Sequence, residues 1–143
     1  MLDNINILSA VPVYVQIENH VRFAIAAGKL KAGDKLPSVR ELSERLGVNP
    51  NTIAKGYRDL EVMKLVFTRR GMGVFINEGA QAKCEPICLE LVVSRLHEAV
   101  QEAKASGLSK KEIEDIISKS LASDSGLYGD LPDSLAAFFK QQT

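Results

Sequence analysis

A chain of 143 residues, 45 % apolar and 25 % charged, suits one globular domain with a small appendage and is too apolar for a disordered segment. It holds no apolar run near the ~20 residues that span a membrane and no basic segment leading into a long apolar one at its start, and two cysteines cannot staple a small secreted scaffold, so a soluble cytoplasmic protein with no membrane partner is expected. The net charge is zero, yet residues 1–78 carry eleven Lys/Arg against eight Asp/Glu (+3), residues 79–143 seven against ten (−3), and residues 29–75 ten against five (+5).

Residues 12–27 open with Pro12, which suits a first helical turn. Val13, Ile17, Val21, Ala24 and Ile25 then recur at helical spacing, and Gly28 is a natural stop. Residues 31–34 read as a loop. Ser38-Val39-Arg40-Glu41 has the form of a capping box, with Leu42 and Leu46 on one side of a short helix near 38–46 that Gly47 ends. Asn49 can cap a second helix near 50–63, with Pro50 at its first position, where no N–H is needed. Ile53, Tyr57, Leu60 and Met63 mark its inward side.

Residues 65–77 change period. LVFT and VFIN are rich in β-branched and aromatic side chains, and Arg69-Arg70-Gly71-Met72-Gly73 lies between them, which predicts a β-hairpin. Gly79-Ala80-Gln81 is a plausible hinge. From about 86 to 105 runs an apolar stripe too wide for a single contact face (Leu89, Val92, Val93, Leu96 and Val100 within it), as in a helix buried on two sides. Gly107 ends it. Ser109 and Glu112 form a second capping box, and Ile113, Ile116, Ile117 and Leu121 mark a helix near 109–122. A short helix near 133–140 is the last expected element.

The order of these parts carries more than any one of them. Two short helices joined by a tight turn form a helix-turn-helix, and a hairpin directly after makes it winged. The fold class is thus mainly α with a small β-hairpin: a winged helix-turn-helix domain over 1–78 and a helical dimerisation region over 79–143. In such motifs the second helix enters the major groove N-terminal end first, which explains a helix whose head is polar and whose later side is apolar. Asn49, Asn51 and Thr52 can face base edges or phosphates, and the helix N-terminus favours phosphate. Lys55 lies one turn on, followed by Arg58. Ser38 and Arg40 stand at the start of the preceding helix. Arg69, Arg70 and Gly71 stand at the hairpin tip, where arginine suits a narrow minor groove or a phosphate pair. An Arg-Arg turn is by itself more often a solvated turn, and opposite charge in two halves can mean two solvated faces.

At these residues the sequence resembles the N-terminal domain of GntR-family bacterial transcriptional regulators. The likeness is carried over residues 12–77 by Pro12–Ile17, Gly28-Lys29-Leu30, Gly33-Asp34-Lys35-Leu36-Pro37-Ser38-Val39-Arg40-Glu41-Leu42, Val48–Thr52, Tyr57-Arg58-Asp59-Leu60-Glu61 and Arg69–Phe75. The length and helix count of the rest resemble the short YtrA-like subfamily. The resemblance implies a homodimer on a two-fold operator, with DNA contacts carried over to Arg40, Asn51, Thr52 and the Arg70-Gly71 tip. Some departures stand out. Pro50 and Ala54 occupy places where other relatives have basic residues, which shifts base reading toward Asn51, Thr52 and Lys55. Lys64 stands where glycine usually follows the second helix. The 65 residues after 78 are too few for the large ligand-binding or aminotransferase-like domains of other branches.

The function expected is a non-catalytic, sequence-specific DNA-binding regulator, a repressor in the first instance. The alternative is a winged-helix module that binds protein, since fold alone does not decide. There is no nucleophile–base pair, phosphate loop or metal triad, so no catalytic residue, metal or cofactor is expected, and the identity or existence of an effector stays open. The dimerisation contacts expected are Leu89, Val92, Val93, Leu96, Val100, Ile113 and Ile117. Cys84 and Cys88 read as two small packing residues, with a soft-metal or redox role left open.

Overall fold

The computed structural model describes residues 2–123 and Leu127; the helix expected near 133–140 lies outside them. The elements in order are a short 3₁₀ turn at Leu2–Asn4, α1 (Val13–Ala26), α2 (Val39–Leu46), α3 (Pro50–Val62), β1 (Val66–Arg69), β2 (Gly73–Ile76), α4 (Ala80–Ala105) and α5 (Lys110–Leu121). The chain divides into two compact units, Met1–Leu89 and Glu90–Thr143.

In the first unit α1 is the central element. Ile17, Val21, Ala24 and Ile25 are buried on it. So is Gln16, whose amide is fully used: it accepts from Asn6 N at 2.9 Å and donates to the carbonyls of Asn6 and Val11 at 2.8 Å each. That polar staple fixes the N-terminal segment to the helix and satisfies a group that would otherwise be costly to bury. Against α1 packs α3, with Ile53, Gly56, Tyr57 and Leu60 buried. Gly56 permits the crossing: a Cβ there would stand 3.2 Å from the Tyr14 carbonyl oxygen and 3.4 Å from Ile17 Cγ2.

Ser38 and Glu41 close the expected capping box on α2, with Glu41 N donating to Ser38 Oγ and Ser38 N to Glu41 Oε2, both at 3.0 Å. Gly47 ends α2 in the left-handed region at φ 66°. Asn49 caps α3 by accepting from Asn51 N at 2.8 Å. Met63 differs from its expected inward place: it follows the last helical residue and is 36 % exposed. Lys64 next to it takes φ 60°, the conformation that glycine adopts without cost.

The hairpin pairs Val66 with Ile76, Phe67 with Phe75, Thr68 with Val74 and Arg69 with Gly73, one residue from the expected strand limits. Gly33 and Asp34, at the end of the loop expected over 31–34, lie along β2 together with Lys35 and Leu36: Leu36 N donates to Val74 O, and Ile76 N to Asp34 O, each at 2.9 Å, with a bridge between Lys35 and Phe75.

The hinge expected at Gly79-Ala80-Gln81 is instead a turn at Gly79 (φ 75°) followed at once by α4. The helix therefore starts six residues before its expected beginning and carries Pro86 inside it. Proline in a helix interior removes a backbone hydrogen bond and crowds the preceding turn, which is why the sequence suggests a start there. The early turns are held by burial, since Ala80, Cys84 and Cys88 belong to the core of the first unit.

The second unit holds the remainder of α4 and α5. A second complete capping box starts α5, with Glu112 N to Ser109 Oγ and Ser109 N to Glu112 Oε1 at 3.1 Å each. Ile113, Ile116 and Ile117 line one groove with Leu96, Ala99, Val100 and Ala103 of α4.

Candidate nucleic-acid interface

The first turn of α3 places its head in solvent and its far side in the core. Asn49 and Asn51 are exposed and Thr52 half-buried, whereas Ile53 is fully buried. Asn49 commits its carbonyl oxygen to the cap. Asn51 is the exposed amide left to face outward at the head of α3, where the helix dipole favours an anion, while its own N–H serves the Asn49 cap and Thr52 N donates to Asn49 O at 3.0 Å.

Lys55 is exposed but held. Its Nζ pairs with Asp59 Oδ2 at 3.0 Å and lies 4.5 Å from the centroid of the Tyr14 ring, and the Asp59 hydrogen bond raises its pKa. Asp59 also hydrogen-bonds Glu18 of α1, and burial together with that neighbour pushes Glu18 up to about 7. Arg58, one position away, is exposed.

On α2, Arg40 Nε meets Glu44 Oε1 at 3.0 Å with both side chains largely in water. Exposed pairs of this kind contribute at most ~0.5 kcal/mol, so a phosphate or base edge can displace Glu44. Ser38 is half-buried and its hydroxyl serves the cap, which leaves it to position Arg40. Tyr57 ties α3 to the entry of α2 by donating its hydroxyl to Pro37 O at 2.6 Å, and burial pushes the phenol pKa up.

At the wing, Arg70 and Gly71 are exposed in the turn, with Gly71 at φ 77°. Arg69 corrects an expectation. It is the last residue of β1, not the tip, and its guanidinium lies 5.8 and 6.0 Å from the Phe67 and Phe75 rings, which stack at 5.7 Å. Arg69 thus braces the hairpin by cation–π contact while staying exposed. Sequence reading missed Lys35, which crosses beneath the wing: a Cβ on Gly73 would stand 2.7 Å from its Cε. The only hint is its place in the Gly-Asp-Lys-Leu-Pro run.

These features sit on the segment matched by the family model described as "Bacterial regulatory proteins, gntR family", residues 13–76. An uncharacterised HTH-type transcriptional regulator of Bacillus subtilis, YhcF, is 40 % identical over 105 residues, 73 % of this chain and 86 % of that protein. This chain belongs to the GntR family. The repressor YtrA of the same organism is 33 % identical over 116 residues, covering 81 % and 88 % of the two chains. Among solved structures, a transcriptional regulator from Oenococcus oeni matches with a TM-score of 0.58 at 34 % identity, over 81 % of this chain and 96 % of that one. A Listeria monocytogenes EGD-e protein described as a transcriptional antiterminator matches with a TM-score of 0.61 at 32 % identity, over 90 % and 95 %. This GntR-family protein is therefore a DNA-binding transcriptional regulator with a winged-helix fold, not an enzyme, and it is akin to the short YtrA type. Among the described residues no helix is long and apolar enough to cross a membrane.

Proposed function

We propose that this GntR-family protein is a homodimeric repressor that occupies a pseudo-palindromic operator, one wing and one recognition helix per half-site. The observation that carries this reading is the two-sided character of α3: an exposed polar head at Asn49 and Asn51 on a helix whose Ile53, Tyr57 and Leu60 are buried. Arg40, Asn51, Thr52 and Lys55 are the base-reading candidates. Ser38, Asn49 and Arg58, with Arg69, Arg70 and Gly71 on the wing, are the positioning and phosphate-contacting ones. Support for the dimer comes from α4, where Leu89, Val92, Val93 and Leu96 are 66, 46, 56 and 58 % exposed, and from Ile117 on α5, 37 % exposed. Apolar side chains in such a row call for a partner. Val100 is half-buried and Ile113 buried within the single chain, so these two support the arm from inside. The relative YtrA is named a transcriptional repressor, and repression needs only that a bound dimer block the promoter.

The test is selection of bound duplexes from a random DNA pool by the purified protein at moderate salt. A two-fold motif with half-sites about one helical turn apart is the expected result. Salt-sensitive binding without a motif would remove the operator, and a monomer at micromolar concentration in analytical ultracentrifugation would remove the dimer.

A further inference from the structure

The first unit contains a cavity of about 280 Å³ that the DNA-binding reading does not use. Three of the residues lining it bear sulfur: Cys84 and Cys88 from α4, and Met63 from the end of α3. Its apolar wall includes Leu65 and Ile87, and two cations, Arg22 and Lys83, border it. The two cysteines are free thiols. They lie one helical turn apart, a spacing that puts side chains on one face, and within hydrogen-bonding reach of each other. They are only 3 and 5 % exposed. Beside them the Nε of Arg22 is buried without a hydrogen-bond partner, a costly state for a charged donor.

We propose that this cavity binds a soft monovalent cation, copper(I), between the thiolates of Cys84 and Cys88, with the Met63 thioether as a third sulfur neighbour. Sulfur donors select copper(I), whereas carboxylates and water suit hard cations. A structural zinc site takes four ligands, most often Cys or His, and no group of three or more His, Cys, Asp or Glu is gathered among the described residues. A d¹⁰ monovalent ion accepts two sulfurs in line, so the pair suffices. Charge supports the same choice. Two thiols and one cation give a bis-thiolate complex and two released protons, and the complex carries one net negative charge. Arg22, with its orphaned Nε, and Lys83 supply the balancing positive charge. Met63 connects the site to the recognition helix, whose last turn it caps.

The test uses the full reduced chain without oxygen or DNA, with copper(I) offered as its coloured bicinchoninate complex. Transfer of one copper per chain is expected, and copper K-edge absorption of the loaded native protein should show only sulfur neighbours. Cys84→Ser and Cys88→Ser should each lower the affinity by at least ~100-fold, since loss of an outer partner already costs 10–100-fold, and Met63→Leu should lower it less. No transfer, or nitrogen and oxygen neighbours at the edge, overturns the site without reference to any variant. Full uptake by both serine variants overturns it equally. Because DNA is absent, none of these outcomes bears on the operator reading.

Discussion

The hydroxyl of Tyr57, in the middle of α3, donates to the main-chain carbonyl of Pro37 at 2.6 Å, twenty residues away and one position before the α2 cap. One phenol thereby sets the angle between the helix that carries Arg40 and the helix that carries Asn51. Tyr57→Phe keeps the buried ring and leaves the carbonyl without its donor. A drop of about 1 kcal/mol is expected, which for a domain of this size lowers the melting temperature by roughly 4–8 °C. Operator affinity should fall as well, since α2 loses its tether. Calorimetry and a binding isotherm check both, and an unchanged melting temperature would mean that the bond does not restrain the fold.

Gly56 gives a prediction of opposite sign to helix propensity. Alanine is ordinarily better than glycine in a helix by ~1 kcal/mol. At Gly56 the added Cβ meets a backbone oxygen of α1 at 3.2 Å, and a main-chain atom cannot step aside as a side chain can. Overpacking costs roughly 1–3 kcal/mol, so Gly56→Ala should destabilise by about 1 kcal/mol net. Chemical denaturation should show a lower midpoint at unchanged slope. A more stable variant would show that α1 and α3 can separate cheaply.

Lys64 should behave the other way. It is left-handed at φ 60°, directly after the α3 C-cap, with Leu65 N donating to Leu60 O at 3.0 Å. Its side chain is exposed, so removing it sacrifices little packing. Lys64→Gly relieves the crowding between Cβ and carbonyl, worth about 1 kcal/mol, less the extra entropy of glycine in the unfolded chain. A gain of roughly 0.5 kcal/mol is expected in the same denaturation experiment, and a loss would mean that the lysine makes a favourable contact of its own.

These three positions show what a sequence can reveal and what it cannot. The caps at Ser38, Asn49 and Ser109 are legible because a cap is a local exchange between a side chain and N–H groups two or three residues away. Lys64 is legible through resemblance, as a residue standing where glycine is usual. Gly56 is not, because its reason lies in α1, some forty residues earlier. Arg69 sits one residue short of the place its sequence suggests, and that shift turns a tip residue into a brace over two phenylalanines. The start of α4 is hidden because Pro86 is a strong local signal for a boundary. Only the burial of Ala80, Cys84 and Cys88 in the core of the first unit outweighs it.

The pair of Glu18 and Asp59 makes stability depend on pH. Burial first, then the hydrogen bond and repulsion from Asp59, raise Glu18 from the ordinary 4.5 to about 7; Arg22 on its own helix and Lys55 on α3 oppose the shift. The folded state therefore holds a proton that the unfolded chain releases above 4.5. The stabilisation is complete below that value and is lost as pH rises through about 7. Asp59 is shifted down, so its own contribution fails only in acid, outside that window. Glu18→Gln keeps a donor to Asp59 without titrating. Melting temperatures at about pH 5.5 and about pH 8, on either side of the raised value, should fall in the native chain between the two and stay level in the variant. Parallel profiles would remove Glu18 as the cause.

The DNA reading makes its sharpest prediction through the contrast between the head of α3 and the wing. Asn51 is exposed at the second position of the helix, where an amide can meet an adenine edge with two hydrogen bonds. Arg40 can do the same for guanine once Glu44 is displaced, at little cost. Asn51→Ala and Arg40→Ala should each weaken binding to the preferred operator by about 1–3 kcal/mol and change binding to unrelated duplexes little, so the ratio between the two collapses. Arg70→Ala removes a charge from the wing turn, not a base reader. It should weaken specific and unrelated duplexes alike and reduce the slope of log affinity against log salt by about 0.9 for each phosphate left without its cation. Titrations at three salt concentrations separate the two kinds of effect. If Arg70→Ala altered base preference with no change in salt slope, the wing would be the reader and the roles assigned to α3 and the hairpin would have to be exchanged.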